Sequence, residues 1–310
     1  MITNKSHKAN YSSAILVQAK ILRSDPTRTT TLRKRFVAEI TRRFVKIERL
    51  IKEAVIGQDV FGLVNRERSL NVLAASLPGT KAYEFKTSSQ KVESFMGWLN
   101  TQVDKELLTT VRIEQIGTAT NAAWTNVFIK DSYKQGVTRA NLELRKNKAV
   151  SINLSNPEAL NVAMHAPYNV DRLGLLYTRT FNELKGISDN MKQVLSRTLA
   201  QGMADGDGPG AIAEKLVDSM KISKNRAKTL ARTEIVRAHH AANIQEYRNY
   251  GVAGVNVKAE WVTAGFGVCP KCSSMEGNTF SLNEIEGMIP LHPNCRCIAI
   301  PVSKKDFKKI

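Results

Sequence analysis

The residues best suited to chemistry are the four cysteines, which all lie between positions 269 and 297. Cys269 and Cys272 form a Cys-x-x-Cys pair, and a second short turn contains His292, Cys295 and Cys297. A Cys-x-x-Cys turn directs two sulfur atoms toward one point, and a second turn can complete a tetrahedral zinc site. His292, Cys295 and Cys297 compete for the two remaining places. With four ligands from the protein and no open coordination position, the predicted site is structural.

Two other states of the four thiols are compatible with the same residues. A disulfide framework usually scatters cysteines along a short secreted chain. These cysteines are clustered instead, and the N-terminus, residues 1–5, lacks the apolar stretch of a secretory signal. The sequence thus favours a zinc site or reduced, free thiols. Disulfide pairing remains as the third alternative.

A second group of polar residues, Arg232, Thr233 and Glu234, lies on a predicted helix. Glu234 can pair with Arg237, which follows it by three residues and therefore lies on the same helix face. Glu234 could act as a general base. Alternatively, it could be a buried partner for an arginine that fixes the helix against the C-terminal module. We favour this structural role.

The distribution of charge points to a polyanionic partner. The net charge is +18, and the first 56 residues hold thirteen basic and four acidic side chains, which is half of that excess. Aromatic residues make up only 6% of the chain, which disfavours base stacking. We therefore expect contact with a phosphate backbone without sequence reading. The candidate DNA-binding residues are Arg33, Lys34, Arg35, Arg42, Arg43 and Lys46.

Several elements must position these residues. From Thr30 to a stop at Gly57, apolar residues recur every three or four positions, which predicts a long amphipathic helix with a basic back. Further helices are predicted over 93–115, 118–148, 171–201, 210–220 and 223–250, the last with Ser223 as its cap, whereas 149–170 is loop-rich. Short strands are predicted within 252–263 and over 297–302.

The predicted fold is therefore mainly α with a small C-terminal α+β module, in which short strands surround the cysteine cluster. The expected organisation is a polar N-terminal segment (1–28), a helical middle region (29–168), a C-terminal domain (169–303) and a basic tail (304–310). No run of eighteen apolar residues occurs, so we expect no membrane partner.

The C-terminal motifs resemble the Mu F-like head-morphogenesis, or minor capsid, family of tailed phages. The resemblance extends from about 170 to 302 and gives the domain predicted over 169–303 its family. Its residues are Ala231, Arg232, Thr233, Glu234, Ala238, Ala242, Asn243, Trp261, Cys269, Cys272, Gly277 and the segment from His292 to Cys297. Two departures occur. Family members often carry an Asp before the first cysteine, where this chain has Gly265-Phe266-Gly267, and some members lack the first cysteine pair.

This resemblance implies a minor structural protein of the phage head rather than an enzyme. Its expected partners are the portal protein, packaged double-stranded DNA and the major capsid protein. It would act in head assembly, with a role in DNA packaging or ejection. The expected location is the interior of the virion head, after a period in the host cytoplasm during assembly.

Two other function classes compete with this interpretation. A metal-dependent DNA nuclease could use His292 and Asn294 beside the cysteines, although a general base and a second metal-binding histidine are missing from the module. A host nucleic-acid-binding regulator would need a recognition helix with base-reading residues, and none is recognisable.

Overall fold

The computed structural model describes residues 25–64, 87–115, 118–146, 151–251, 257–265 and 267–302. The predicted basic tail and all but the last four residues of the predicted N-terminal segment lie outside these ranges. The described residues are mainly helical, with a small antiparallel sheet near the C-terminus, which confirms the predicted fold class. In this part of the chain, no helix combines the length and apolarity that crossing a bilayer requires.

The helices and strands follow one another in a simple order. The helical part comprises α1 (Thr30–Lys52) with a π-helical turn (Glu53–Gly57), α2 (Ser88–Leu107), α3 (Asn126–Lys146), α4 (Pro157–Met164), α5 (Pro167–Ala204), α6 (Pro209–Ser219) and α7 (Lys221–Gly251). A hairpin, β1 (Thr110–Gln115) and β2 (Thr118–Ala123), lies between α2 and α3. The C-terminal elements are β3 (Lys258–Val262), α8 (Pro270–Ser273), β4 (Thr279–Ser281), α9 (Leu282–Ile285) and β5 (Ile298–Val302).

Helix α1 is amphipathic, as its sequence predicts. The apolar stripe that recurs at steps of three and four is at most 3% exposed, because this spacing places its members on one face: Leu32, Phe36, Ile40, Phe44, Ile47 and Ile51. Before the helix, the Asp25 carboxylate accepts a hydrogen bond of 2.7 Å from the Thr30 backbone N–H. The same carboxylate pairs with Arg33 at 3.0 Å, so it caps the helix and also places a negative charge beside its first turn.

Three local predictions were wrong. Residues 110–115 and 118–123 form an antiparallel hairpin instead of continuing helices, with Thr110 opposite Ala123. The hairpin is rich in β-branched residues, which favour strands and which a helical period alone does not reveal. Residues 157–164 form a helix inside the predicted loop region, with Asn156 accepting bonds from the first turn. Ser223 lies within α7 and is 4% exposed, so it is not the cap.

The described chain divides into two compact units. The first combines residues 25–34, 127–176 and 232–302, and the second combines the described residues of 35–126 and 177–231. Each unit therefore joins segments that are distant in sequence. The predicted linear division at 168/169 stays a prediction.

In the first unit, a three-stranded antiparallel sheet in the order β4-β3-β5 packs on α7. The central strand β3 carries Trp261, which is fully buried and lies opposite Ala299 of β5. Tyr247 of α7 is also fully buried and donates a hydrogen bond of 3.1 Å to the Ala299 carbonyl. The core that joins the helix to the sheet also includes Cys272, Cys295 and Cys297.

Helices α3 and α7 approach closely at Gly136. A Cβ at this position would lie 2.4 Å from the His239 carbonyl oxygen and 2.7 Å from the Ala242 Cβ. Asn243 is fully buried beside this crossing, and its amide, oriented with nitrogen toward the carbonyls, donates to Gly136 O at 2.8 Å. This places Asn243, one of the motif residues, in the packing of α7 against α3.

Three buried titratable side chains of α7 make the stability of the first unit depend on pH. Burial raises the pKa of Glu246 from 4.5 to about 7, and it lowers the pKa of His239 and His240 from 6.5 to about 3 and about 4. The contribution of Glu246 to the free energy of unfolding is thus fully present below pH 4.5, and it is lost as the pH rises through 7. The contribution of the two histidines to the free energy of unfolding is fully present above pH 6.5, and it is lost as the pH falls toward 4.

The substitution Glu246→Gln is expected to stabilise the protein in alkali, because the amide carries no charge to bury. From the pKa shift, the gain in unfolding free energy is about 3 kcal/mol at pH 8 but about 1 kcal/mol at pH 5. Urea unfolding at both pH values measures this gain in free energy, with Glu93→Gln at an exposed position as the control. An equal gain at both pH values would contradict the assignment.

Candidate metal centre

The first half of the cysteine cluster is a tight turn that opens the short helix α8. Cys269 is the residue before the helix, Pro270 occupies its first turn, and the Cys272 backbone N–H lies 3.4 Å from the Cys269 sulfur. Proline suits this position because its fixed φ matches the helix and its missing N–H has no partner to lose. The turn therefore points the Cys269 and Cys272 sulfurs to one side, and the Cys272 N–H donates a hydrogen bond to the Cys269 sulfur.

His292 faces these two sulfurs. Its Nε2 lies 3.3 Å from the Cys269 sulfur and 3.1 Å from the Cys272 sulfur. Its Nδ1 lies 2.8 Å from the Pro293 carbonyl oxygen. Because a carbonyl only accepts hydrogen bonds, Nδ1 carries the proton in the neutral ring, and Nε2 presents a lone pair to the cysteines. A backbone carbonyl commonly orients a metal-binding histidine in this manner.

Cys295 and Cys297 complete the cluster. The Cys272 and Cys295 sulfurs are 3.9 Å apart, and no disulfide joins any of the four cysteines. The donor atoms form two groups, each lying within 4.8 Å: Cys269, Cys272 and His292 in one, and Cys272, Cys295 and Cys297 in the other. Cys272 belongs to both groups, so the cluster is continuous.

The thiols of the second group differ in acidity. A hydrogen bond with Cys297 lowers the pKa of Cys295 to about 5, and the same contact raises the pKa of Cys297. Burial raises the pKa of Cys272 to about 12. Cys295 is therefore the more readily available thiolate of the two final cysteines, with Cys297 as its hydrogen-bond donor.

The donor set fits a metal ion. Zinc lies about 2.3 Å from a thiolate sulfur, so neighbouring sulfurs of a tetrahedral site are about 3.8 Å apart. The separation of Cys272 and Cys295, 3.9 Å, matches that edge. Because a histidine nitrogen lies about 2.0 Å from zinc, the sulfur–nitrogen edge is about 3.5 Å, and the contacts of 3.1 and 3.3 Å are a few tenths of an ångström shorter. These Cys and His groups could hold a metal ion.

The Arg232–Thr233–Glu234 motif lies beside this cluster. The Thr233 hydroxyl accepts a hydrogen bond of 3.1 Å from the Asn294 backbone N–H, and Arg232 reaches the Asn294 side-chain oxygen at 3.4 Å. Glu234 is 2% exposed and pairs with Arg237 at 3.0 Å. The contacts of Arg232 and Thr233 with the final cysteine turn were not predicted from the sequence. The available signal was an asparagine after a proline, a residue type that tolerates left-handed turns.

The predicted DNA-binding residues are divided between two environments. Arg33 and Arg43 are 9% and 8% exposed, and Arg43 lies over the Trp124 ring at 4.0 Å. Both are engaged within the protein, since Arg33 pairs with Asp25 and Arg43 pairs with Glu39. The remaining four are exposed, although Arg42 pairs with Glu39 and Lys46 pairs with Glu106. The exposed set is Lys34, Arg35, Arg42 and Lys46.

The fold and the site thus define a helical protein with a small C-terminal sheet and a Cys/His cluster, three of whose cysteines are buried in the core that the sheet shares with α7. Residues 193–300 match the family model described as Phage Mu protein F like protein, and this match supports the resemblance to the Mu F-like phage protein family. The match suggests a head-morphogenesis protein associated with the phage virion. No curated protein and no solved structure matches the chain.

Proposed function

We propose that the protein is a minor head protein of a tailed phage that joins the portal and contacts packaged DNA inside the head. It would act in head assembly and in DNA packaging or ejection, with the major capsid protein as a further neighbour. The observation that carries the proposal is the family match over 193–300, because this segment contains the entire Cys/His cluster. The C-terminal module would serve as a rigid docking unit.

A structural zinc ion fits this role best. Cys269, Cys272, His292 and Cys295 would hold it, and Cys297 would donate a hydrogen bond to the Cys295 sulfur. When bound, zinc supplies a cross-link between α8 and the final turn and no open coordination position. Cys272 and Cys295 are each 1% exposed, which supports a structural rather than a catalytic ion.

The geometry does not favour the nuclease alternative. His292 directs one ring nitrogen to two sulfurs and the other to the Pro293 carbonyl, so the ring is engaged on both sides. A nicking assay on supercoiled plasmid with magnesium or manganese tests this directly. Cleavage that is abolished by His292→Ala would reverse the proposal that the protein is not an enzyme.

The portal interaction is testable by co-expression with the portal protein of the same phage. We expect the two chains to co-purify and to co-elute in size-exclusion chromatography. Cys272→Ser should weaken this complex, because the docking unit loses its cross-link, whereas Ser273→Ala at the exposed neighbouring position should not. Separate elution of the wild-type chains would contradict the proposed partner.

DNA retention should depend steeply on salt, because each neutralised phosphate releases counterions. Replacing Lys34 and Arg35, both exposed, with Glu is expected to reduce the slope of log affinity against log salt by about 2. Lys105→Glu combined with Arg145→Glu changes the net charge equally at exposed positions on other helices and serves as the control. Retention that is independent of salt would exclude phosphate contact as the binding mode.

A further inference from the structure

We propose that Thr233 and Arg232 are positioning residues for the metal centre. They hold the turn at Asn294, which lies between two of the ligands, His292 and Cys295. This inference rests on the proposed metal site and extends it to residues that do not touch the ion. It gives the Arg-Thr part of the helix motif a role in metal binding.

The turn depends on an anchor outside itself. Asn294 has a φ of 62°, in the left-handed region, and its side chain is exposed. Within the turn, the Cys295 backbone N–H donates to the His292 carbonyl at 3.1 Å. The Asn294 N–H instead donates to the Thr233 hydroxyl at 3.1 Å, which ties the turn to α7. Since Asn294 is not buried, packing of its side chain cannot replace this hydrogen bond.

Helix α7 provides a fixed reference for the turn. Directly after Thr233, the residues Glu234, Ile235 and Val236 are all at most 2% exposed, so this part of the helix is held by the core. The other ligand pair, Cys269 and Cys272, is carried by the separate helix α8. The relative placement of the two ligand pairs therefore depends on where α7 holds the second turn.

The two contacts make different chemical demands. The Thr233 contact needs a hydroxyl acceptor, which serine can replace and isosteric valine cannot. The Arg232 contact, a longer one of 3.4 Å, needs the Asn294 side-chain amide as its acceptor. Glycine at 294 would keep the left-handed backbone and the N–H group while removing that amide. The two contacts can therefore be tested separately.

The experiment titrates the full-length protein, reduced and metal-free, with Co²⁺, and then measures zinc affinity by competition with a chelator. Loss of an outer partner of a metal ligand typically reduces affinity 10–100-fold. We expect Thr233→Val to bind about tenfold more weakly with an altered Co²⁺ absorption spectrum. Thr233→Ser should restore both, and Asn294→Gly should show a smaller loss. Thr229→Val, the same change one turn earlier in the chain, should bind as the wild type does.

The outcomes separate the inference from the function on which it rests. A wild-type chain that binds neither ion overturns the metal site and the inference together. A metal-binding wild type with unchanged affinity and spectrum in Thr233→Val overturns the inference alone. Far-UV circular dichroism of each metal-free variant shows whether it keeps the wild-type helical content, so that a folding defect is recognised as such.

Discussion

Removal of the proposed zinc ion from the full-length protein is expected to destabilise the C-terminal sheet severely. Structural zinc contributes about 10–16 kcal/mol in isolated zinc-finger peptides, because the ligands converge only in the folded state. In this protein a hydrophobic core around Trp261 and Tyr247 also holds the sheet on α7, so part of the fold survives without metal. We therefore expect the free energy of unfolding to fall by several kcal/mol, but by less than in those peptides.

Thermal unfolding with and without a strong zinc chelator measures this loss, and re-addition of zinc should restore the transition. Cys272→Ser should show the same loss without a chelator and should be insensitive to its addition. Ser273→Ala should behave as the wild type, because this side chain is exposed and is not a ligand. A transition that the chelator leaves unchanged would show that the cluster stabilises the fold as free thiols.

The second large effect is expected at the crossing of α3 and α7. Gly136→Ala would place a Cβ 2.4 Å from the His239 carbonyl oxygen, closer than real contacts allow. The obstructing atom belongs to the backbone of a buried helix, so a rotamer change cannot relieve the clash. Overpacking of this kind typically costs 1–3 kcal/mol, and we expect a loss of about 3 kcal/mol.

A matched control for this prediction lies in α5. Gly186 is exposed and helical, and nothing lies within 4 Å of a Cβ built on it. Gly186→Ala should therefore stabilise the protein by up to about 1 kcal/mol through helix propensity. Urea unfolding of the two variants should give changes of opposite sign. A stabilised Gly136→Ala variant would mean that the helices cross further apart than the structure shows.

Much of the fold could be predicted from the sequence where periodicity is strong. The spacing from Leu32 to Val55 predicted α1 correctly, because a long regular apolar stripe has few alternative structures. The β1–β2 hairpin was missed because its short strands follow a long helix and their alternation is weak. The importance of Gly136 was also missed, since a glycine inside a helix is read as an interruption until the neighbouring helix is known.

The candidate site was predictable in part. Clustering of Cys269, Cys272, Cys295 and Cys297 indicated a shared site, and the structure places their sulfurs in two groups that share Cys272. The role of Thr233 could not be predicted, because its partner lies 61 residues away in the chain. Likewise, the burial of Arg43 depends on Trp124, and no local pattern links the two.

The most direct test of the metal-held docking module is the metal content of the full-length chain, purified under reducing conditions without added metal. We predict about one zinc ion per chain by elemental analysis. We also predict that a thiol reagent reacts fully with the cysteines only after the protein is denatured or treated with a chelator. A chain that contains no zinc and whose native thiols react freely, or are paired as disulfides, would contradict the account.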